Sequence, residues 1–275
     1  MKRMMPVSEL ARDERFHRMS VEDVIFDPRN ASPQAQINTL APNYENASDN
    51  ARSLMHGIFV GEIQALEGAG RTCWDFVTGE GHEEAPFALK LDMARQCWDE
   101  ARHVEISIKL SDHMGSTIGE FAEQTLLYEA ACNEDPVLRL TGVNRALEGL
   151  AIDVFKTMRD FGETLTDPVL AFAEDWMLAD EVTHVKMGSD WLRRITANDP
   201  DRQKQALEFQ RAVDKVFSFG GFRGESDENP IHLARNFRRL AGFSDDEIAD
   251  LVDVAAEAYA EAVATQEAAL AATAE

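Results

Sequence analysis

The chain has 275 residues, and its 50 Asp and Glu outweigh its 27 Lys and Arg to give a formal net charge of −23. A nucleic-acid or anionic-membrane partner is therefore not expected, because both need clustered basic side chains. No apolar stretch is long enough to span a membrane, and the first residues lack the apolar segment of a secretion signal. Three scattered cysteines do not form a disulfide framework. We expect a cytoplasmic protein with no membrane partner.

The chain divides into three predicted regions. Residues 1–47 contain four prolines among Asn, Ser and Asp, which predicts an irregular N-terminal arm. From 48 to 196 apolar residues recur with helical spacing between Gly and Pro punctuation, which predicts an all-α four-helix bundle. Residues 197–275 are predicted to be a C-terminal helical extension with a flexible joint at 219–224, and we expect its acidic, base-free end after Arg239 to be solvated. The predicted helices are 48–77, 86–114, 117–132, 136–161, 168–195, 200–218, 230–241 and 244–270.

The same short pattern, D-E-x-x-H, occurs at 99–103 and again at 180–184. With seven His in the chain, chance alone would give roughly 0.06 copies of this pattern. Residues i and i+3 share a helix face, so each Glu points in the same direction as its His. These groups are costly to bury on a core-facing stripe unless something pairs with them, and a divalent metal can do so. The pattern therefore predicts four metal ligands: Glu100, His103, Glu181 and His184.

Each pair has a candidate partner on the preceding helix. Glu62 lies on an apolar stripe of the first helix, and Glu67, about 140° away around the same helix, is the reserve candidate. Glu148 continues an apolar stripe on the helix before the second pair, although it could instead be solvated or pair with Arg145. Glu62 and Glu148 are therefore predicted to complete the ligand set.

The ligand order, one Glu followed by E-x-x-H and then the same again, resembles that of the ferritin-like di-iron carboxylate superfamily. The first motif is similar to that of the di-iron monooxygenase hydroxylases. The runs at 62–67 and 148–153 are similar to an uncharacterised bacterial ferritin-like family near the di-iron tRNA hydroxylases. The resemblance covers about residues 48–195 and implies a ferritin-like four-helix bundle that holds two Fe, with Mn or mixed Mn/Fe as alternatives, and that uses O₂ as co-substrate. The metal ligands that it implies are Glu62, Glu100, His103, Glu148, Glu181 and His184.

The resemblance also implies an outer layer of hydrogen bonds. Metal-bound His usually donates its second N–H to a carboxylate, and in the resembled enzymes an Asp beside one ligand Glu reaches the His of the opposite pair. Carried over, this predicts that Asp99 contacts His184 and that Asp180 contacts His103. Two further candidates for this layer are Arg102 and Thr183.

Other polar and apolar side chains are given structural interpretations. Asp153 and Glu174 are expected to be structural or exposed, and His56 is expected to be packed or at the surface rather than a third ligand. Several large apolar residues could line a substrate pocket, but core packing is the favoured interpretation. They are Phe59, Met93, Phe155, Met177, Trp191, Trp98 and Trp176.

The resemblance implies an O₂-activating non-haem di-iron oxidoreductase that oxidises a small organic substrate by hydroxylation, N-oxidation or desaturation. No flavin, nicotinamide or iron–sulfur motif is present, so an external reductase or ferredoxin would have to supply electrons. The alternatives are a ferroxidase or other iron-handling protein and a di-iron tRNA hydroxylase, which the net charge disfavours. A metal-free structural bundle would leave six polar groups buried without a partner. The acidic surface favours a basic protein partner or a small-molecule substrate, and a homodimer is compatible with it.

Overall fold

The computed structural model describes residues 49–121, 123, 125–218, 223–224 and 231–273. These residues are mostly helical, which confirms the all-α prediction, apart from one parallel pair of two-residue strands. The predicted N-terminal arm and part of the predicted joint, 219–222, lie outside the described residues. The helices are α1 (Asp49–Asp75), α2 (Phe87–His113), α3 (Leu126–Ala131), α4 (Pro136–Thr141), a π-helical segment (Gly142–Leu147), α5 (Glu148–Thr164), α6 (Pro168–Ile195), α7 (Pro200–Val216), α8 (Arg235–Leu240) and α9 (Asp245–Thr273); the strands are β1 (Arg223–Gly224) and β2 (Ile231–His232).

Three of the helices begin at an Asp-Pro pair, and this explains why their N-termini are predictable. The Asp135 carboxylate accepts hydrogen bonds from the backbone N–H groups of Val137 and Leu138, and Pro136 occupies a first-turn position where its missing N–H has no cost. Asp167 and Asp199 cap α6 and α7 in the same way. Strong local signals of this kind fix helix starts without help from tertiary packing.

The long helices pack as two hairpins, α1 with α2 and α5 with α6. In the second hairpin the backbones approach closely at Gly162, where a Cβ atom would lie only 2.7 Å from the backbone nitrogen of Ala171. The hairpins meet along α2 and α6. The Trp191 indole N–H donates to Asp92 over 2.7 Å, and Asp99 lies beside His184, so residue numbers rise along α2 as they fall along α6 and these two helices are antiparallel.

The structure corrects three of the predicted helices. The predicted 230–241 helix is reduced to α8, because Ile231 and His232 form strand β2 instead. The predicted 117–132 helix is reduced to α3, because Gly115 and Gly119 adopt left-handed backbone angles of +76° and +82° and turn the chain after α2. The predicted 136–161 helix is interrupted by the π-helical segment. A π turn is wider than an α turn, and the space for it comes from Gly188 on α6, where a Cβ atom would lie 2.7 Å from the Cβ atom of Asn144.

Five of the seven large apolar side chains proposed as core or pocket residues are buried, whereas Trp176 is half-buried against the main cluster and Trp98 is exposed. Met177 and Phe155 are packed in the main apolar cluster between the four long helices, and Met93 and Trp191 belong to a second cluster. Trp98 is 66% exposed, so neither the core nor the pocket interpretation holds for it. No helix among the described residues is both long enough and apolar enough to cross a bilayer.

The acidic end of the chain is more than a solvated stretch, because its helix α9 faces basic residues. Arg211 on α7 pairs with Asp250 and Glu257 over 3.1 and 3.0 Å, and Lys215 pairs with Glu261 over 2.7 Å. The expectation that these acids are simply solvated was therefore wrong. Helix α7 in turn packs on the π-helical segment, so the C-terminal helices lie directly against the helices that carry the candidate ligands.

Candidate metal centre

The six predicted ligands come together between the four long helices, and each is at most 5% exposed. The periodicity of α2 and α6 brings each Glu and the His three residues later to the same interior face. Glu148 is the first residue of α5, immediately after the π-helical segment, which sets the direction in which its side chain enters the interior. The contributing residues are Glu62 from α1, Glu100 and His103 from α2, Glu148 from α5, and Glu181 and His184 from α6.

Ligand atoms of these residues form two overlapping groups, each lying within 4.8 Å of one another. One group contains Glu62 and His103, and the other contains Glu148 and His184. Both groups include Glu100 and Glu181. Each group thus contains two shared carboxylates, one further carboxylate and one imidazole. This composition matches a centre for two metal ions.

Both imidazoles direct the same nitrogen toward the carboxylates. Nδ1 of His103 lies 2.9 Å from Glu62, 3.2 Å from Glu100 and 3.3 Å from Glu181. Nδ1 of His184 lies 3.2 Å from Glu100, 3.6 Å from Glu181 and 3.9 Å from Glu148. The Nδ1 atoms are therefore the candidate ligand atoms, and Nε2 is left for other contacts.

Several of these buried atoms have no hydrogen-bond partner among the described residues. They include both carboxylate oxygens of Glu181, one oxygen of Glu100 and Nδ1 of His184. Leaving charged or polar atoms buried and unsatisfied is costly, so arrangements of this kind are rare unless a ligand completes them. The donor set is hard oxygen with imidazole nitrogen, which suits Fe or Mn. These residues therefore fit a pair of divalent cations.

Protons balance the charges of the centre when no metal is bound. Burial raises the pKa values of Glu62 and Glu148, and repulsion from the neighbouring carboxylates adds to the effect. Burial alone would also raise the pKa of Glu100, but the positive charges of His184 and His103, each with Nδ1 3.2 Å from this carboxylate, hold it below its ordinary value. The pKa of His184 is raised, because the charges of Glu100 and Glu181 outweigh its burial. Metal binding must displace these protons.

The outer nitrogens of the two imidazoles face aspartates of the opposite motif. Nε2 of His103 lies 3.3 Å from Oδ2 of Asp180, and Nε2 of His184 lies 3.3 Å from Oδ2 of Asp99. The Arg102 guanidinium contacts both aspartates and stacks on the Trp176 ring 4.7 Å from its centroid. Thr183 is not part of this layer, because its hydroxyl donates back to the carbonyl of Ala179 on its own helix.

Two amide side chains complete the centre, and the sequence reasoning missed both. The Gln96 amide donates to Glu100 over 2.9 Å and to Glu148 over 2.8 Å, and its oxygen accepts from Asn144 over 2.6 Å. Gln96 lies one turn before Glu100 on the same face of α2, so the sequence spacing could have identified it as a neighbour of the candidate ligands. Asn144 had no signal, because it belongs to the π-helical segment.

The structure decides between the alternatives that the sequence left open. Glu67 is exposed, whereas Glu62 lies in the centre. Arg145 does not pair with Glu148; it donates to Gln210 and Ser189 and pairs with the Glu247 carboxylate. These polar groups satisfy Arg145 away from the centre.

Three other polar residues considered in the sequence analysis are buried outside the candidate centre. His56 is packed, and its Nε2 accepts from the backbone N–H of Gly119 over 3.0 Å. Asp153 is structural, because it pairs with the buried Arg238 over 2.6 Å. Of the two interpretations expected for Glu174, structural or exposed, the structure excludes the second, because Glu174 is fully buried; neither of its carboxylate oxygens has a hydrogen-bond partner among the described residues.

A surface cleft of about 210 Å³ reaches the centre between α2 and α6. Gln96, Asp99 and His184 form its inner wall, and Trp191 and Arg194 lie further along it. Because the inner wall includes a candidate ligand and the amide that holds two others, a small molecule in the cleft would lie next to the centre.

Comparison with known proteins assigns the chain to a family without assigning an activity. No curated protein and no solved structure matches the chain. One family model, described as "Protein of unknown function (DUF455)", matches residues 3–249. This range covers every helix that supplies a candidate ligand, together with α7, α8 and the start of α9. The chain belongs to the DUF455 family.

Proposed function

We propose that the protein is a ferritin-like four-helix bundle with a di-iron centre, and that it is an O₂-activating oxidoreductase acting on a small organic substrate. The observation that carries the proposal is the pair of ligand groups that share Glu100 and Glu181. Four carboxylates and two imidazoles balance the charge of two divalent ions, so the loaded centre can remain buried. Mn or a mixed Mn/Fe pair would satisfy the same donor set.

Each side chain has a defined role in this proposal. Glu62 and His103 would help to hold one ion and Glu148 and His184 the other, and Glu100 and Glu181, which belong to both groups, would be available to both. When bound, two irons supply the electrons and open coordination positions that O₂ activation requires. Asp99 and Asp180 hold the imidazoles with Nδ1 directed inward, and the surrounding apolar cluster separates the centre from bulk solvent.

The proposed reaction consumes one O₂, two electrons and two protons per substrate oxidised, and inserts one oxygen atom while releasing the other as water. The cleft beside Gln96 and His184 is the proposed approach for the substrate. No described feature of the chain provides an electron carrier, so a separate reductase or ferredoxin is the proposed donor. The net charge of −23 favours a basic docking face on that donor.

Metal content tests the centre. Protein purified from iron-replete cells should contain two Fe or Mn per chain, and Glu100→Ala and His184→Ala should each lose metal. Glu67→Ala, which alters an exposed acid on α1, is the matched control and should retain both ions. A wild-type protein that binds no metal would overturn the proposal.

A second measurement separates the oxygenase from iron handling. The reduced, metal-loaded protein is exposed to O₂, and the products are analysed with candidate substrates and an electron donor present. Oxygen recovered in an organic product, with isotopic label from O₂, supports the oxygenase. Stoichiometric O₂ consumption that yields only mineralised Fe(III) supports a ferroxidase instead.

A further inference from the structure

Three buried polar side chains outside the candidate metal centre have no hydrogen-bond partner at any side-chain polar atom among the described residues. These atoms are both carboxylate oxygens of Glu174 and the hydroxyls of Ser107 and Ser111. Each side chain is at most 1% exposed. Buried Ser and Thr side chains in helices usually donate to a carbonyl on their own helix, as Thr141 does to Val137 over 2.6 Å. The hydroxyls of Ser107 and Ser111 make no such bond, so they remain available to another group.

The three side chains lie at neighbouring levels of the interior. Ser107 is one helical turn beyond His103 on the same face of α2, and Ser111 is one turn further. The antiparallel pairing of α2 with α6, fixed by His103 beside Asp180, places Glu174 level with residue 109, between the two serines. Glu174 is two turns from Glu181 on α6, about 10 Å at 1.5 Å per residue. The polar face of α2 therefore continues past the candidate ligands toward one end of the bundle.

The environment of Glu174 is otherwise apolar. Leu170 and Leu178, one turn away in each direction on α6, are fully or almost fully buried, and Met158 and Leu110 belong to the same cluster. Burial raises the pKa of Glu174 well above its ordinary value, although the charge of His103 opposes the effect, and this favours the neutral carboxylic acid. Interior water normally satisfies polar groups of this kind, with about three hydrogen bonds per molecule.

We propose that Glu174, Ser107 and Ser111, joined by interior water, form a proton-conducting column between His103 and the end of α2. Ser111, in the last turn of α2, is the outermost member of the column, two residues before the exposed end of that helix. A proton leaves the Glu174 carboxyl for water on the inner side while another arrives from the outer side. The column transfers no electrons and has no net charge after each passage.

The column serves a need that any metal chemistry at this centre creates. The ligands are at most 5% exposed, yet their protons must leave when metal binds and protons must arrive when O₂ is reduced. The purpose of the column therefore rests on the proposed function. Its existence does not, because proton exchange at Glu174 can be measured without metal.

The first experiment uses the metal-free protein and infrared spectroscopy. The spectrum of wild type minus that of Glu174→Gln should contain the carbonyl stretch of one protonated carboxyl group. On rapid transfer into D₂O this band should shift while the backbone amides of the core remain protected. In Ser111→Ala, which removes the outer hydroxyl, the shift should be slower by about tenfold or more. Ser189→Ala, a buried serine that bonds Arg145 instead, is the matched control and should exchange at the wild-type rate.

The second experiment follows proton release with an indicator dye after Mn²⁺ is added without O₂. Glu174→Gln and Ser107→Ala should release the same number of protons as wild type, about tenfold or more slowly. The column is overturned if wild type and Glu174→Gln show no carboxyl difference band, or if the band exchanges equally fast in Ser111→Ala. A chain that binds no Mn²⁺ contradicts the proposed function alone, since the infrared experiment still tests the column.

Discussion

Oδ2 of Asp99 on α2 lies 3.3 Å from Nε2 of His184 on α6, and the reciprocal contact joins Asp180 to His103 over the same distance. Each D-E-x-x-H motif therefore supplies the carboxylate that orients the imidazole of the other. With Nε2 held by an aspartate, Nδ1 of each ring faces the cluster of glutamates. Because α2 and α6 are antiparallel, the two contacts are equivalent. Replacing the aspartate on one helix should therefore disturb the orientation of the imidazole on the other.

Replacing Asp99 tests this relationship. Asp99→Asn keeps the size of the side chain but removes the charge that supports His184. We expect metal affinity to fall about 10- to 100-fold with two ions still bound at saturation, because the ligand remains while its orientation and basicity are weakened. Competition with a chelator measures the affinity. Asp190→Asn, on the exposed face of α6, should leave the affinity unchanged; equal affinities in wild type and Asp99→Asn would contradict the prediction.

Gln96 should contribute to both stability and metal binding. Gln96→Leu removes the donor shared by Glu100 and Glu148 and leaves buried acceptors unsatisfied, which costs about 1–3 kcal/mol. Urea denaturation measures this loss in the metal-free protein, and metal titration should also show weaker binding. The control is Gln210→Leu, which removes a buried amide that accepts a hydrogen bond from Arg145 away from the centre. It should lower stability without changing metal affinity, and identical metal binding in Gln96→Leu would contradict a role in the centre.

Much of the site could be predicted from the sequence because helical periodicity is local. The i and i+3 spacing of Glu100 and His103, repeated at Glu181 and His184, needs only a regular helix to bring each pair onto one face. Asn144 could not be predicted in this way, because its position depends on a π turn and on the space beside Gly188. Such a departure from α geometry is a tertiary effect without a sequence period.

The fold shows the same division. Helix starts at Asp-Pro pairs were predicted to the residue because the signals lie within one turn, whereas the strand pair near 223 and 231 had no pattern. The burial of Glu174 is an intermediate case. It lies seven residues before Glu181, a spacing that places both on one face of α6. A single acidic residue with that spacing is more often exposed than buried, so the sequence alone did not indicate its burial.

Stability should depend on pH through Glu174. Its pKa is raised by burial above the ordinary 4.5, so the folded protein holds a proton that the unfolded chain releases as pH rises past 4.5. The contribution of this group to stability is therefore largest at low pH and is lost as pH rises toward its folded pKa. Glu174→Gln has no proton to lose, so its advantage over wild type should grow by about 1.4 kcal/mol per pH unit in that window.

Urea denaturation of the metal-free protein at several pH values measures this difference. Glu67→Gln, at an exposed position, is the control and should show no pH-dependent advantage. A difference between wild type and Glu174→Gln that stays constant with pH would mean that Glu174 ionises equally in the folded and unfolded chains.

Metal loading should stabilise the folded chain, because the six candidate ligands are assembled only in the folded state. At a free metal concentration about 100 times the Kd, the expected gain is about 2.7 kcal/mol. Thermal denaturation with and without Mn²⁺ under anaerobic conditions measures it as a rise in Tm. Glu100→Ala should show no such rise, since it removes a ligand common to both groups. A rise of the same size in Glu100→Ala would place the metal elsewhere.

The buried pair Arg238–Asp153 should connect the C-terminal helices to the centre. Arg238 on α8 donates to both oxygens of Asp153 and to the carbonyl of Gly149, the residue after the candidate ligand Glu148. Arg238→Met leaves a buried carboxylate without its partner and should cost about 3–5 kcal/mol in urea denaturation, whereas Arg238→Met with Asp153→Leu should cost less. Arg239→Met, which breaks an exposed pair with Asp245, should cost less than about 1 kcal/mol.

The same substitution should reach the metal. Because the Arg238 guanidinium holds the backbone next to Glu148, its loss frees the first turn of α5 and should weaken metal binding in the half of the centre that contains Glu148 and His184. Titration at a temperature where Arg238→Met is still folded should show one ion bound as in wild type and one bound more weakly. Two ions weakened equally would mean that the pair supports the fold as a whole rather than this turn.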